Sequence, residues 1–152
     1  MRSNPHLGKN AGMKTLAWFR LPLLLVVLLL AACGGPRGAK NLLDAALYDY
    51  SAAIRWNDFG GASTFLDPET LAQHPVTALD MQRYQQIQVT GYYVKGTEQV
   101  GPNELRQLVE IKLVNRHTQA ERTVLDRQHW RFDTAQQRWW LTSGLPDITE
   151  PR

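Results

Sequence analysis

Leu-Arg-Gln-Leu-Val-Glu-Ile-Lys-Leu-Val-Asn, residues 105–115, alternates with a period of two. Gln107, Val109, Ile111 and Leu113 fall on one side, and Leu108, Glu110, Lys112 and Val114 on the other. Successive side chains of a strand point to opposite faces, so this segment reads as a strand with one buried face. Its neighbours read the same way. Tyr84 to Val94 is rich in β-branched and aromatic residues, and Gly91 inside it predicts a bulge or bend. Gly96 to Asn103 is read as a turn region, Arg122 to Phe132 as a third strand, and Asp133–Gln137 as a turn into a fourth strand, Arg138 to Ser143. Four strands on hairpin-length links imply an antiparallel sheet.

Upstream the period changes. From Asn41 to Phe59, Leu43, Ala46, Leu47, Tyr50 and Ile54 recur at three- and four-residue spacing, with Trp56 or Asn57 continuing the stripe. Asn41 is placed to cap this helix and Gly60-Gly61 to end it. A short helix is expected over Ala62–Leu66. Another is expected after the N-cap Asp67, with Pro68 at its first position, closing near His74-Pro75. Helices followed by strands give the α+β class, with N-terminal helices packed on a curved antiparallel sheet of about four strands.

The chain ahead of this domain is of another kind. Leu-Pro-Leu-Leu-Leu-Val-Val-Leu-Leu-Leu-Ala-Ala, residues 21–32, is apolar over about 12 residues, roughly 18 Å as a helix against a hydrocarbon core of about 30 Å. That is short for a span and suits the core of a signal peptide, with Lys14 and Arg20 as its positive flank. Met13 opens an n-region of ordinary length, so residues 1–12 are read as a mis-called start. Leu30-Ala31-Ala32-Cys33, followed by Gly34, resembles the bacterial lipobox. The resemblance implies cleavage before Cys33, with Leu30, Ala31 and Ala32 read by the signal peptidase. Diacylglycerol and further acyl chains, palmitate among them, would then sit on the Cys33 thiol. Two or more chains, at about 0.8 kcal/mol per buried CH₂, anchor stably where one is marginal. Residues 33–40 become the lipidated cysteine and a flexible tether, and 41–152 the folded domain. Gly34 and Gly35 are not acidic, which by the same family's rule directs a Gram-negative protein to the periplasmic side of the outer membrane. The protein is thus expected in the cell envelope, on a membrane surface through lipid.

Charge agrees with that division. Without Arg2, Lys9, Lys14 and Arg20, 13 basic residues face 14 acidic ones, so the mature part is near −1 rather than the +3 of the whole chain. No nucleic-acid partner is expected of such a surface.

Two local patterns carry a resemblance to the NTF2-like (cystatin-like cone) superfamily. One is Leu47-Tyr-Asp-Tyr-Ser-Ala-Ala-Ile-Arg-Trp-Asn-Asp-Phe59 leading into Gly60-Gly-Ala-Ser-Thr-Phe-Leu66; the other is the closing hairpin Trp130-Arg-Phe-Asp to Arg138-Trp-Trp-Leu-Thr142. The resemblance spans about residues 40–145. It implies a sheet curled round the long helix, with a cone whose mouth takes a small hydrophobic molecule in some members and an Asp and His for catalysis in others.

His129 with Asp126 three residues earlier invites an acid–base reading, but residues 126 and 129 of one strand point to opposite faces. His74, His117 and His129 have no metal-ligand spacing, and no metal, cofactor or catalytic residue is expected. The adjacent pairs Tyr92-Tyr93 and Trp139-Trp140 each send one ring to either side of a strand. One ring of each pair then forms an aromatic binding face, or lies under the chain's own tail, Gly144 to Arg152. The expectation is a non-enzymatic envelope lipoprotein. It binds a partner protein, a second copy of itself or a small apolar ligand, through the cone or the exposed sheet face. The alternatives are an assembly scaffold acting only by protein contacts, and a cone-pocket enzyme using Asp126 or His129.

Overall fold

The computed structural model describes residues 36–148. Leu30, Ala31, Ala32 and Cys33, with the leader before them and residues 149–152, lie outside the described residues. Four helices come first: α1 (Pro36–Arg55), α2 (Phe59–Ser63), α3 (Pro68–Gln73) and α4 (Ala78–Gln85). Four strands follow: β1 (Ile87–Gly101), β2 (Glu104–Asn115), β3 (Glu121–Asp133) and β4 (Arg138–Leu141). They form one curved, unclosed antiparallel sheet in the order β1-β2-β3-β4.

Parity builds the core. Val109, Ile111 and Leu113 of β2 and Gln128, Trp130 and Phe132 of β3 are buried on the concave face. Leu43, Tyr50 and Ile54 of α1 pack against them, and the Tyr50 ring meets the Trp130 ring edge-on at 5.3 Å. The apolar stripe of α1 is thus the one the heptad-like spacing indicates, except at its end. Trp56 is 84 % exposed. The reason is that position 56 stands about 200° round the helix from buried Ile54 and so falls off the stripe, although its N–H still donates to the Ala52 carbonyl; Asn57, at φ 61°, then turns the chain out of the helix.

Other boundaries also moved. The helix begins at Pro36, so residues 36–40, read as tether, are helical; proline suits a first helical turn because its missing N–H has no partner there anyway. Gly60 and Gly61 lie inside α2 rather than ending α1, since Asp58 caps α2 by accepting the Gly61 N–H at 2.7 Å. Asp67 caps α3 with Pro68 at its start, as expected. Helix α4 occupies part of the segment read as a strand from Tyr84. A capping box starts it: the Thr77 hydroxyl accepts from the Asp80 N–H and the Asp80 carboxylate accepts from the Thr77 N–H. Residues 96–101, read as a turn, continue β1, and the reversal is confined to Pro102-Asn103. Register shifts at Val89/Gly91, Val94/Gly96 and Gln99/Gly101 bend β1, including the bulge expected at Gly91.

The two sheet edges are finished differently. β4 is covered: the Leu141 N–H donates to the Phe65 carbonyl at 2.8 Å and the Asp67 N–H to the Leu141 carbonyl at 2.9 Å, a short parallel bridge. β1 is capped only at its start. There the Asn57 amide acts as a one-residue strand, donating to the Ile87 carbonyl at 2.9 Å and accepting the Val89 N–H at 3.0 Å.

Asn57→Ala should therefore lose two hydrogen bonds and place a Cβ residue less tolerant than Asn in left-handed backbone, costing about 2–3 kcal/mol. Asn57→Gly should cost less, because it removes the bonds but not the conformation. Urea midpoints of the two variants check this; equal midpoints would mean that strain has no part in it.

Candidate functional site: the concave face and the open edge of β1

Three strands bring polar groups together where the sheet curls over α1. Asp126, Gln128 and Trp130 alternate along β3 and point inward, Gln107 stands opposite Gln128 on β2, and Tyr92 reaches in from β1. Gln128, with none of its side chain exposed, joins them. Its Nε2 donates to the Asp126 Oδ2 at 2.7 Å and to the Tyr92 hydroxyl at 3.0 Å, while its Oε1 accepts the Trp130 Nε1–H at 3.2 Å. Both amide donors and the carbonyl are thus used.

The electrostatics follow from burial. Removal from water pushes the Asp126 carboxyl up to about 6, against the opposing pull of the Gln128 hydrogen bond. Burial pushes the Tyr92 phenol up to about 12. Tyr50 is raised well above the ordinary phenol range, by burial first and the nearby Asp126 charge second. Its hydroxyl is buried and, among the described residues, has no hydrogen-bond partner.

His129 is not part of this cluster. It lies on the convex face and is exposed, as parity requires, so Asp126 and His129 share no site. The two aromatic pairs are likewise divided. Tyr92 is inside and Tyr93 is 49 % exposed on the convex side of β1. Trp139 is inside, stacked at a tilt on Phe132 with its Nε1–H donated to the Ala39 carbonyl at 2.9 Å. Trp140, on the convex side of β4, is buried under the Arg138 guanidinium, 4.1 Å from the ring centre. Tyr93 and Trp140 sit on strands at opposite edges of the sheet and form no common patch. Among the described residues no group of His, Cys, Asp and Glu side chains could hold a metal ion.

A second feature went unnoticed in the sequence. Between the C-terminal end of α1 and the outer edge of β1 runs a groove of about 470 Å³, lined by Arg55, Trp56, Val89, Thr90, Tyr92 and Tyr93. The Tyr93 ring folds over Gly91, where a Cβ would come within 2.5 Å of it, so glycine is what lets this wall form. The Arg55 guanidinium lies over the Tyr92 ring at 5.3 Å and closes the inner side. Comparison of the chain with protein-family models, with curated proteins and with solved structures finds no match.

Asp126 gives a pH test. Its folded-state value lies above the ordinary 3.8, so the native protein binds more protons than the unfolded chain between roughly pH 4 and 6. Stability should fall as pH rises through that window, by up to about 3 kcal/mol at 1.36 kcal/mol per unit. Asp126→Asn should lack this component. Relative to that variant, the urea midpoint of the wild type should rise on going from pH 7.5 to 4.5; a constant difference would mean an ordinary solvated carboxylate.

Proposed function

We propose that the protein is a lipid-anchored lipoprotein of the cell envelope that works by holding a partner protein, seated in the groove between Trp56 and the open edge of β1. The observation that carries this reading is the exposure of Trp56 beside Tyr93 on an unpaired strand edge. An indole left in water forgoes on the order of 4 kcal/mol of burial, at about 25 cal/mol per Å² over an area of about 200 Å². Trp and Tyr are also the side chains that most often carry interface energy. The edge itself offers unpaired main-chain groups that an added strand can take up.

Anchoring rests on Leu30-Ala31-Ala32-Cys33 and on the apolar run before it. The succession of a long helix, short helices and a curved open sheet supports the resemblance to the NTF2-like superfamily. The concave face supports a partner binder over a receptor for apolar ligands, because its polar groups are largely satisfied by one another through Gln128. A second reading, a small molecule in the cone, draws on the unpartnered Tyr50 hydroxyl near Asp126.

Two measurements separate anchor from partner. Labelled fatty acid should enter the wild type and not Cys33→Ala; equal labelling of both, or of neither, rejects the anchor. A photo-crosslinking residue at position 56 should give one discrete adduct in intact cells, lost on Tyr93→Asp, whereas one at the exposed His117 should give none. Identical adducts from both positions, or none from either, reject the groove as the contact surface.

A further inference from the structure

A second depression, of about 530 Å³, lies on the convex face of the sheet; Gln107 and Gln128, whose side chains are buried on the other face, also border it. Gly96 and Leu108 stand opposite each other at its base, with Arg127 opposite Leu108 on the next strand. One step along, Glu98, Arg106 and His129 form the adjoining row. Gly96 leaves open space on this face: a Cβ there would meet nothing within 4 Å.

The basic groups of this sheet are otherwise engaged. Lys95 pairs with Glu110, Arg131 pairs with Asp67, Lys112 lies over Tyr93, Arg138 lies over Trp140, and Arg122 is also partnered. Among the described residues, only Arg106 and Arg127 of the strand cations have no hydrogen bond, ion pair or ring contact, and both line this one depression. Glu98 stands directly across from Arg106, but its carboxylate makes no ion pair within 4 Å of the guanidinium nitrogens. The two arginines are diagonal neighbours on adjacent strands, a spacing that puts Cβ atoms about 7–8 Å apart. Two guanidinium groups stand here against the single carboxylate of Glu98, which pairs with neither, so the depression keeps an excess of positive charge that an anion relieves.

We propose that this depression is a binding site for a phosphate group. Arg106 and Arg127 approach from different strands, each with a planar fork of donors, and the exposed His129 ring adds a third nitrogen-bearing group. A planar carboxylate is satisfied by one fork, whereas a tetrahedral phosphate has oxygens for two forks and the ring. Leu108 gives the base an apolar patch on which an ester's carbon chain can rest. The phosphate is either free in solution or part of a lipid headgroup.

The test uses the full processed chain in neutral detergent micelles, with the His129 ring protons followed by NMR. Inorganic phosphate is titrated at constant ionic strength; separately, phosphatidylglycerol is doped into the micelles. A saturable shift with inorganic phosphate identifies free phosphate as the ligand, and a shift only with the doped lipid identifies the headgroup. Arg106→Gln/Arg127→Gln should weaken the effective probe at least tenfold. Gly96→Val, which puts an isopropyl group into the depression beside Leu108 without changing charge, should weaken it as well, while Lys40→Gln should leave it unchanged. No shift with either probe, or a shift that survives both the double variant and Gly96→Val, overturns the proposal.

Discussion

Gln128 has to satisfy three groups at once because none of them can reach water freely. Its amide is sealed between the sheet and α1, and it faces a carboxylate, a phenol and an indole. An unmade hydrogen bond at such a depth costs about 1–3 kcal/mol per group, so the positions of Asp126, Tyr92 and Trp130 are tied to a single rotamer. The bond from Gln128 to Tyr92 ties β1 to β3 across β2. The fold therefore depends on a polar contact inside an otherwise apolar core, and the aromatic cluster of Tyr50, Phe65 and Trp130 packs around it.

The two edges of the sheet differ in how they are finished. β4 is short and is closed by the chain itself through Phe65 and Asp67, with Arg131 bonded to Asp67 at 2.7 Å on the outside. β1 is long, and Asn57 occupies only its first residues. Beyond them the edge is protected by bulges and by Lys95 and Glu98 rather than by a covering element, which deters random pairing without blocking a fitted partner. Trp56 is exposed beside that edge because it falls off the buried stripe of α1, and left-handed Asn57 turns the chain away just after it.

Much of this was legible in the residues. Inward Gln107, Val109, Ile111 and Leu113, the opposite facing of Asp126 and His129, the Gly91 bulge and the Asp67 cap all follow from rules acting over a few residues. Helix α4 had a signal that went unused, since Thr77 and Asp80 stand at capping-box spacing. The burial of Trp140 had a partial one, since Arg138 stands two residues before it on the same face of β4; the bond that holds Arg138 to the Thr64 carbonyl is a matter of long-range packing.

Strand parity, the Asp67 cap and the net charge near −1 of residues 33–152 were determined by the sequence alone. Each depends on spacing or composition within one segment, where the period of the backbone is enough. Only the tertiary structure decided that Gln128 would join Asp126 to Tyr92, that Trp56 would stay in water, and that Arg106 and Arg127 would be the two unpaired cations of one depression. Those outcomes depend on which residues of different strands come to lie side by side, and register and curvature are properties of the whole sheet rather than of any single strand.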